Sequence, residues 1–94
     1  MDKTEAQSVL NNELARYRRL SYAELLRLLG QSDNFDCAAR SGKTYQVEVE
    51  AVWDSKPNES LRVLAMIDDG SWMRSFVPLC EDFIMRPDGS FVGE

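Results

Sequence analysis

Glu48 and Glu50 are the residues of this chain best placed for acid–base chemistry. They alternate with apolar residues in the run Tyr45 to Asp54, and in an extended strand side chains two apart share a face at about 6.6 to 6.8 Å. That spacing suits a pair of carboxylates working as acid and base. If the sheet were concave and Tyr45 converged on them, the three would line a small-ligand pocket or a carboxylate-dependent hydrolase site. The wet face of a strand explains the same two glutamates by solvation alone.

The remaining chemistry is sparse. The chain has no histidine, which removes the commonest general base and metal ligand and the usual partner of a serine or cysteine nucleophile. Cys37 and Cys80 are too few for a structural zinc site, which usually takes four ligands. With no export signal beside them they read as reduced thiols. Cys80 lies next to Glu81 and Asp82, a negative field that raises a thiol pKa and makes a poor nucleophile. Asp68-Asp69 and Glu81-Asp82 offer hard oxygen ligands without the alternating spacing of a calcium loop. The glycines stand singly, so no phosphate-binding loop is present. We therefore expect no enzyme, no catalytic residue, no metal and no cofactor.

The formal charge is −5 and it is unevenly distributed. Residues 1–30 hold Lys3, Arg16, Arg18, Arg19 and Arg27 against four acids, whereas residues 31–94 hold six basic side chains against twelve acidic ones. Such a balance disfavours phosphate backbones and anionic lipid, so neither nucleic acid nor membrane is expected as a partner. Arg16, Arg18 and Arg19 read as cations complementing the negative end of a helix. The polar start, Met1-Asp2-Lys3-Thr4-Glu5, lacks the apolar stretch of a secretory signal, which runs to about 7 to 15 residues. No run reaches the roughly 18 apolar residues of a membrane span. A cytoplasmic location follows as the expectation.

The elements that must position these residues are legible in the spacing. Asp2 with Glu5 caps a first helix whose apolar residues Ala6, Val9, Leu10, Leu14 and Tyr17 recur at three and four. Ser21 with Glu24 forms a capping box for a second helix that runs through Leu25, Leu26, Leu28 and Leu29 and stops at Gly30, a glycine suited to a left-handed closing position. From Asn34 the period becomes two. Phe35 to Arg40 pairs with the run from Tyr45 through Ser41-Gly42-Lys43, and Leu61 to Asp68 follows as a third strand. Asp69-Gly70 suits a two-residue hairpin turn with positive φ at both positions, after which Trp72 to Leu79 returns. Asp82 to Arg86 turns at Pro87-Asp88-Gly89 onto Ser90 to Val92.

The expected fold is α+β: one domain, residues 1–94, with two N-terminal helices packed on one face of a four- to five-stranded antiparallel meander. A chain of 94 residues buries roughly 60 to 65% of its unfolded surface, enough for one core. That expectation puts Val47, Val49, Ala51, Trp53, Leu61, Val63, Ala65, Ile67, Trp72 and Phe76 on the covered face. The other face carries Leu64, Met66, Met73, Val77 and Val52 among Glu48, Glu50 and Arg62.

An acidic sheet face with leucines and methionines is a candidate surface for a protein partner or a homodimer, because methionine adapts its shape to what it meets. The binding candidates are Glu48, Glu50, Leu64, Met66 and Met73. The function expected is a small non-enzymatic interaction or regulatory module that engages a basic protein, as an inhibitor or immunity-like protein does. The alternative is the ligand-binding or hydrolase domain built on Glu48, Glu50 and Tyr45.

Overall fold

A computed structural model describes residues 2–70 and 79–94. Two helical segments precede a four-stranded antiparallel sheet, an α+β arrangement. Helix α1 spans Lys3–Arg18 and begins where the Asp2 carboxylate accepts from the Glu5 amide at 3.0 Å. Its buried residues, Ala6, Leu10, Leu14 and Tyr17, form the stripe that the spacing predicts.

The capping box at Ser21 is complete. The Glu24 amide donates to Ser21 Oγ at 3.1 Å, and the Ser21 amide donates to Glu24 Oε1 at 2.9 Å. Only one α-turn follows, α2 at Tyr22–Leu25, before the chain tightens into a 3₁₀ segment at Leu26–Leu29. A three-residue repeat brings Leu25 and Leu28 to the same side, and both are buried. Gly30 does not take the expected left-handed conformation; its φ is −121°. The tightened last turn already supplies bonds three residues back to the final carbonyls, so no left-handed residue is required to close it.

Strands β1 (Asp33–Ala38), β2 (Thr44–Trp53), β3 (Leu61–Asp68) and β4 (Leu79–Met85) lie in sequence order. The registers Phe35↔Val47, Val49↔Ala65 and Val63↔Phe83 put like with like across the sheet. Tyr45, Val47, Val49, Ala51, Leu61, Val63, Ala65, Ile67, Phe83 and Met85 are buried in one cluster with the helical leucines, and Trp53 packs against it. In β2 and β3 the residues between them point the other way.

Two expectations about the end of β3 are corrected. A two-residue hairpin at Asp69-Gly70 would set Ile67 opposite Trp72 and Val63 opposite Phe76; β3 pairs with Leu79–Met85, so Ile67 faces Leu79 and Val63 faces Phe83. Asp69 is also absent from the positive-φ positions; only Gly70, at φ 83°, adopts one there. The Asp68 carboxylate accepts from the Gly70 amide at 2.7 Å, an Asx turn, and the register that sets Ile67 opposite Leu79 is not that of a two-residue hairpin at Asp69-Gly70. The expected strand over residues 72–78, with Trp72, Met73, Phe76 and Val77, lies outside the described residues. Past β4 the chain turns back as anticipated, with an isolated antiparallel bridge between Met85 and Phe91.

The two sheet faces differ in how much their side chains are buried, which gives a direct check. Leu61 is fully buried whereas Val52 is 44% exposed. Leu61→Ala should lower the unfolding free energy by about 2 to 5 kcal/mol, and Val52→Ala by less than about 0.5 kcal/mol, in urea titrations. A larger loss for Val52→Ala than for Leu61→Ala would mean that the faces have been exchanged.

Candidate functional site

The sequence candidates that the structure describes share one surface. Glu48 faces Met66 across the β2–β3 ladder, and Glu50 faces Leu64. All four are half-buried on the side of the sheet away from the core cluster. Met73 lies outside the described residues. Tyr45 is on the opposite face, fully buried, because it sits an odd number of positions from both glutamates. The three-residue convergence expected of a hydrolase site is therefore not formed.

Reading the register across all four strands extends this outer face into rows. Asp36, Gln46 and Asp68 form one; Asn34, Glu48, Met66 and Cys80 form the next; then come Glu50, Leu64 and Asp82, and finally Val52, Arg62 and Ile84. Among the described strand residues of this face, Arg62 is the one cation against Asp36, Glu48, Glu50, Asp68 and Asp82. Arg62 is itself neutralised: it donates to Asp54 Oδ1 at 2.7 Å and to the Asp82 carboxylate. A shallow depression of about 470 Å³ lies over the first two rows, edged by Asn34, Asp36, Gln46, Glu48, Met66 and Asp68. Its carboxylates are too spread to chelate, and among the described residues no three Asp, Glu or Cys side chains are placed to hold a metal ion.

Asp36, Asp82 and Ile84 join the surface without having been placed on it from the sequence. Asp36 was legible through its alternation with Phe35 and Cys37. Asp82 and Ile84 were hidden because the strand beside β3 was read from the residues just after Gly70, whereas the register sets Asp82 opposite Leu64 and Ile84 opposite Arg62.

The inner face carries the structural polar groups. Tyr17 Oη donates to Asp33 Oδ2 at 2.6 Å, and Arg27 grips the same carboxylate through both oxygens at 2.8 and 3.0 Å. The Arg27 guanidinium, with help from Tyr17, holds the Asp33 carboxyl below its ordinary range, while burial and the Asp33 contact push the Tyr17 phenol up. Burial, and then the Glu13 carboxylate at 3.4 Å, raise the Cys37 thiol. Cys80 is raised by burial of its sulfur and by Asp82 and Glu81, the direction expected from its acidic neighbours. Cys37 faces inward from β1 and Cys80 outward from β4, so the two do not form a disulfide with each other.

No helix among the described residues is long and apolar enough to cross a membrane. No protein-family model matches the chain, and no curated protein or solved structure is significantly similar to it.

Tyr45 gives the inner face a signature at high pH. Its hydroxyl donates to Glu5 Oε1 at 2.9 Å, and burial, followed by that carboxylate, pushes its pKa up to about 12. The unfolded phenol titrates near 10. The stabilising share is complete below about pH 10 and is lost as pH rises toward 12, because the unfolded chain releases its proton first. Unfolding free energies from urea titrations should fall across that window by more in the wild type than in Tyr45→Phe.

Proposed function

We propose that the outer sheet face is a docking surface for a basic protein, and that the two helical segments and the return past β4 serve as its support from the other side. One observation carries this reading. Acid rows and apolar side chains share the same face, and among the described residues no cation pairs with Asp36, Glu48, Glu50 or Asp68.

Physical chemistry assigns the parts. The carboxylates steer a partner rich in lysine and arginine and set its orientation. Leu64, Met66, Ile84 and Val52 supply apolar area that water leaves on contact, with Met66 adapting to the partner's contour. A homodimer through this same face is disfavoured, since a two-fold axis lays acid against acid. The module is thus a binder that acts by occupying a basic surface.

The test is capture from the native lysate by immobilised wild-type chain and by the Glu48→Lys, Glu50→Lys variant, with the retained protein identified by mass spectrometry. A basic protein held at low salt, released at high salt and bound at least tenfold more weakly by the variant is the expected result. With that protein in hand, amide shifts should concentrate at Leu64 and Met66. Retention unaffected by the two reversals, or a retained protein that is acidic, would remove the outer face from the interaction.

A further inference from the structure

The chain covers one edge of its sheet and leaves the other bare. At the β4 edge the return past Gly89 closes over the strand end, where the Val92 amide donates to the Ile84 carbonyl at 2.9 Å. At the β1 edge the Ala39 amide donates to the Lys43 carbonyl at 2.8 Å. In an antiparallel ladder bonded pairs recur at every second residue, so they fall at Cys37↔Tyr45, Phe35↔Val47 and Asp33↔Val49. The bond from the Asp54 amide to the Ser60 carbonyl gives the same alternation from the far side, because it turns the backbone groups of Gln46, Glu48 and Glu50 toward β3. The amides and carbonyls of Asn34, Asp36 and Ala38 therefore point away from the sheet. All three residues are exposed, and among the described residues nothing bonds to these backbone groups.

Hollows flank this edge on both faces. On the outer face lies the depression of about 470 Å³ edged by Asn34, Asp36 and Glu48. On the inner side a cleft of about 450 Å³ separates β1 from α1, with Val9, Cys37 and Ala39 along it, each partly buried against the core. The carboxylates beside that cleft are already engaged. Asp2 caps α1, Glu5 accepts from the Ser41 and Tyr45 hydroxyls, and Glu13 accepts from Arg16 and the Cys37 thiol. Asp36 and Glu48 on the outer side have no cation among the described residues. The edge thus offers apolar area inward and uncompensated negative charge outward.

We infer that β1 receives an added antiparallel strand in which lysine or arginine alternates with apolar residues. That strand belongs to the basic protein proposed above, so the assignment rests on outer-face docking and specifies the element the partner presents. Residues paired with Asn34 and Asp36 project their cations over the outer face, and the residues between them place apolar side chains in the cleft beside α1. A second copy is the wrong occupant, because β1 paired with itself brings Asp36 against the acids of its twin. The charge that guards the edge against self-association selects a basic strand.

The probe is the peptide Lys-Val-Lys-Val-Lys-Val-Lys, blocked at both ends and titrated into the isotope-labelled full chain. Amide shifts and slowed hydrogen exchange should fall on Asn34, Asp36 and Ala38. Residues that exchange bonds across an antiparallel pair share a face, so the lysine amides are the ones that meet β1. N-methylation of the lysine nitrogens should weaken binding at least tenfold, whereas N-methylation of the valine nitrogens, which face away, should change it less than about twofold. A peptide with glutamate for each lysine should also bind at least tenfold more weakly. In the protein, Ala38→Pro removes one outward amide without breaking the β2 ladder and should weaken binding severalfold.

The inference is overturned if the lysine peptide does not bind at millimolar concentration, if both methylation patterns are tolerated equally, or if the three edge amides exchange as fast in the complex as alone. Binding that is lost in the Glu48→Lys, Glu50→Lys variant but indifferent to lysine N-methylation overturns the added strand and leaves outer-face docking standing.

Discussion

Everything in this fold depends on the period of two in β2 and β3 being held in one register. With Val49 opposite Ala65 and Ala51 opposite Val63, the small and β-branched residues of both strands fall on one side and the charged residues on the other. A slip of one residue would bring Glu48 and Glu50 under the helices and expose Val49. The cost of burying two carboxylates without partners exceeds the net stability of a domain of this size, about 5 to 15 kcal/mol. The central ladder is thus self-correcting, and the outer strands take their orientation from it.

The arginines then fasten the periphery. Arg18 ties α1 to the segment beyond β4, Arg27 ties the 3₁₀ turn to the start of β1, and Arg62 ties β3 to β4 and to the loop after β2. Each is partly exposed, so each ion pair adds little stability by itself. Their effect is positional, because a guanidinium that meets two oxygens, or an oxygen and a ring, fixes an orientation that a point charge would leave free. Lys43, paired with Asp69 at 3.2 Å, is the weaker counterpart at the end of the sheet where β3 finishes.

The central part of the chain was legible because local chemistry and tertiary packing agree there. The cap at Asp2, the box at Ser21, the alternation of Tyr45 to Trp53 and the turn at Gly42 each specify what they then form. Agreement fails in two places. The leucine-rich segment after Ser21 has a pattern that fits three or 3.6 residues per turn equally well, and burial of both Leu25 and Leu28 resolves it as one α-turn followed by a 3₁₀ segment. Asp69-Gly70 has the composition of a tight hairpin, yet the register of β3 sets Ile67 opposite Leu79 and not opposite Trp72. A turn dipeptide reports backbone preference alone, and the strand that best buries Phe83 and Met85 decides which segment pairs. The acidic face was legible for Glu48 and Glu50 because they lie in one strand. Its outer members needed a register that no local signal supplies.

The distribution of charge on the outer face bears on why that face can be acidic at all. Asp36 and Asp68 flank the neutral amide Gln46, which places them two strand spacings apart, about 9.6 Å. That is close to the screening length of about 10 Å at 0.1 M salt, so their repulsion is largely damped in the folded chain. Glu48 and Glu50 are nearer, but each has an uncharged side chain, Met66 or Leu64, as its cross-strand neighbour. Where two carboxylates, Asp54 and Asp82, approach the same point, Arg62 stands between them. The face therefore carries a high negative charge with little penalty on folding. A flat apolar surface of the same area would favour indiscriminate association. The spaced acids allow Leu64, Met66 and Ile84 to remain near water.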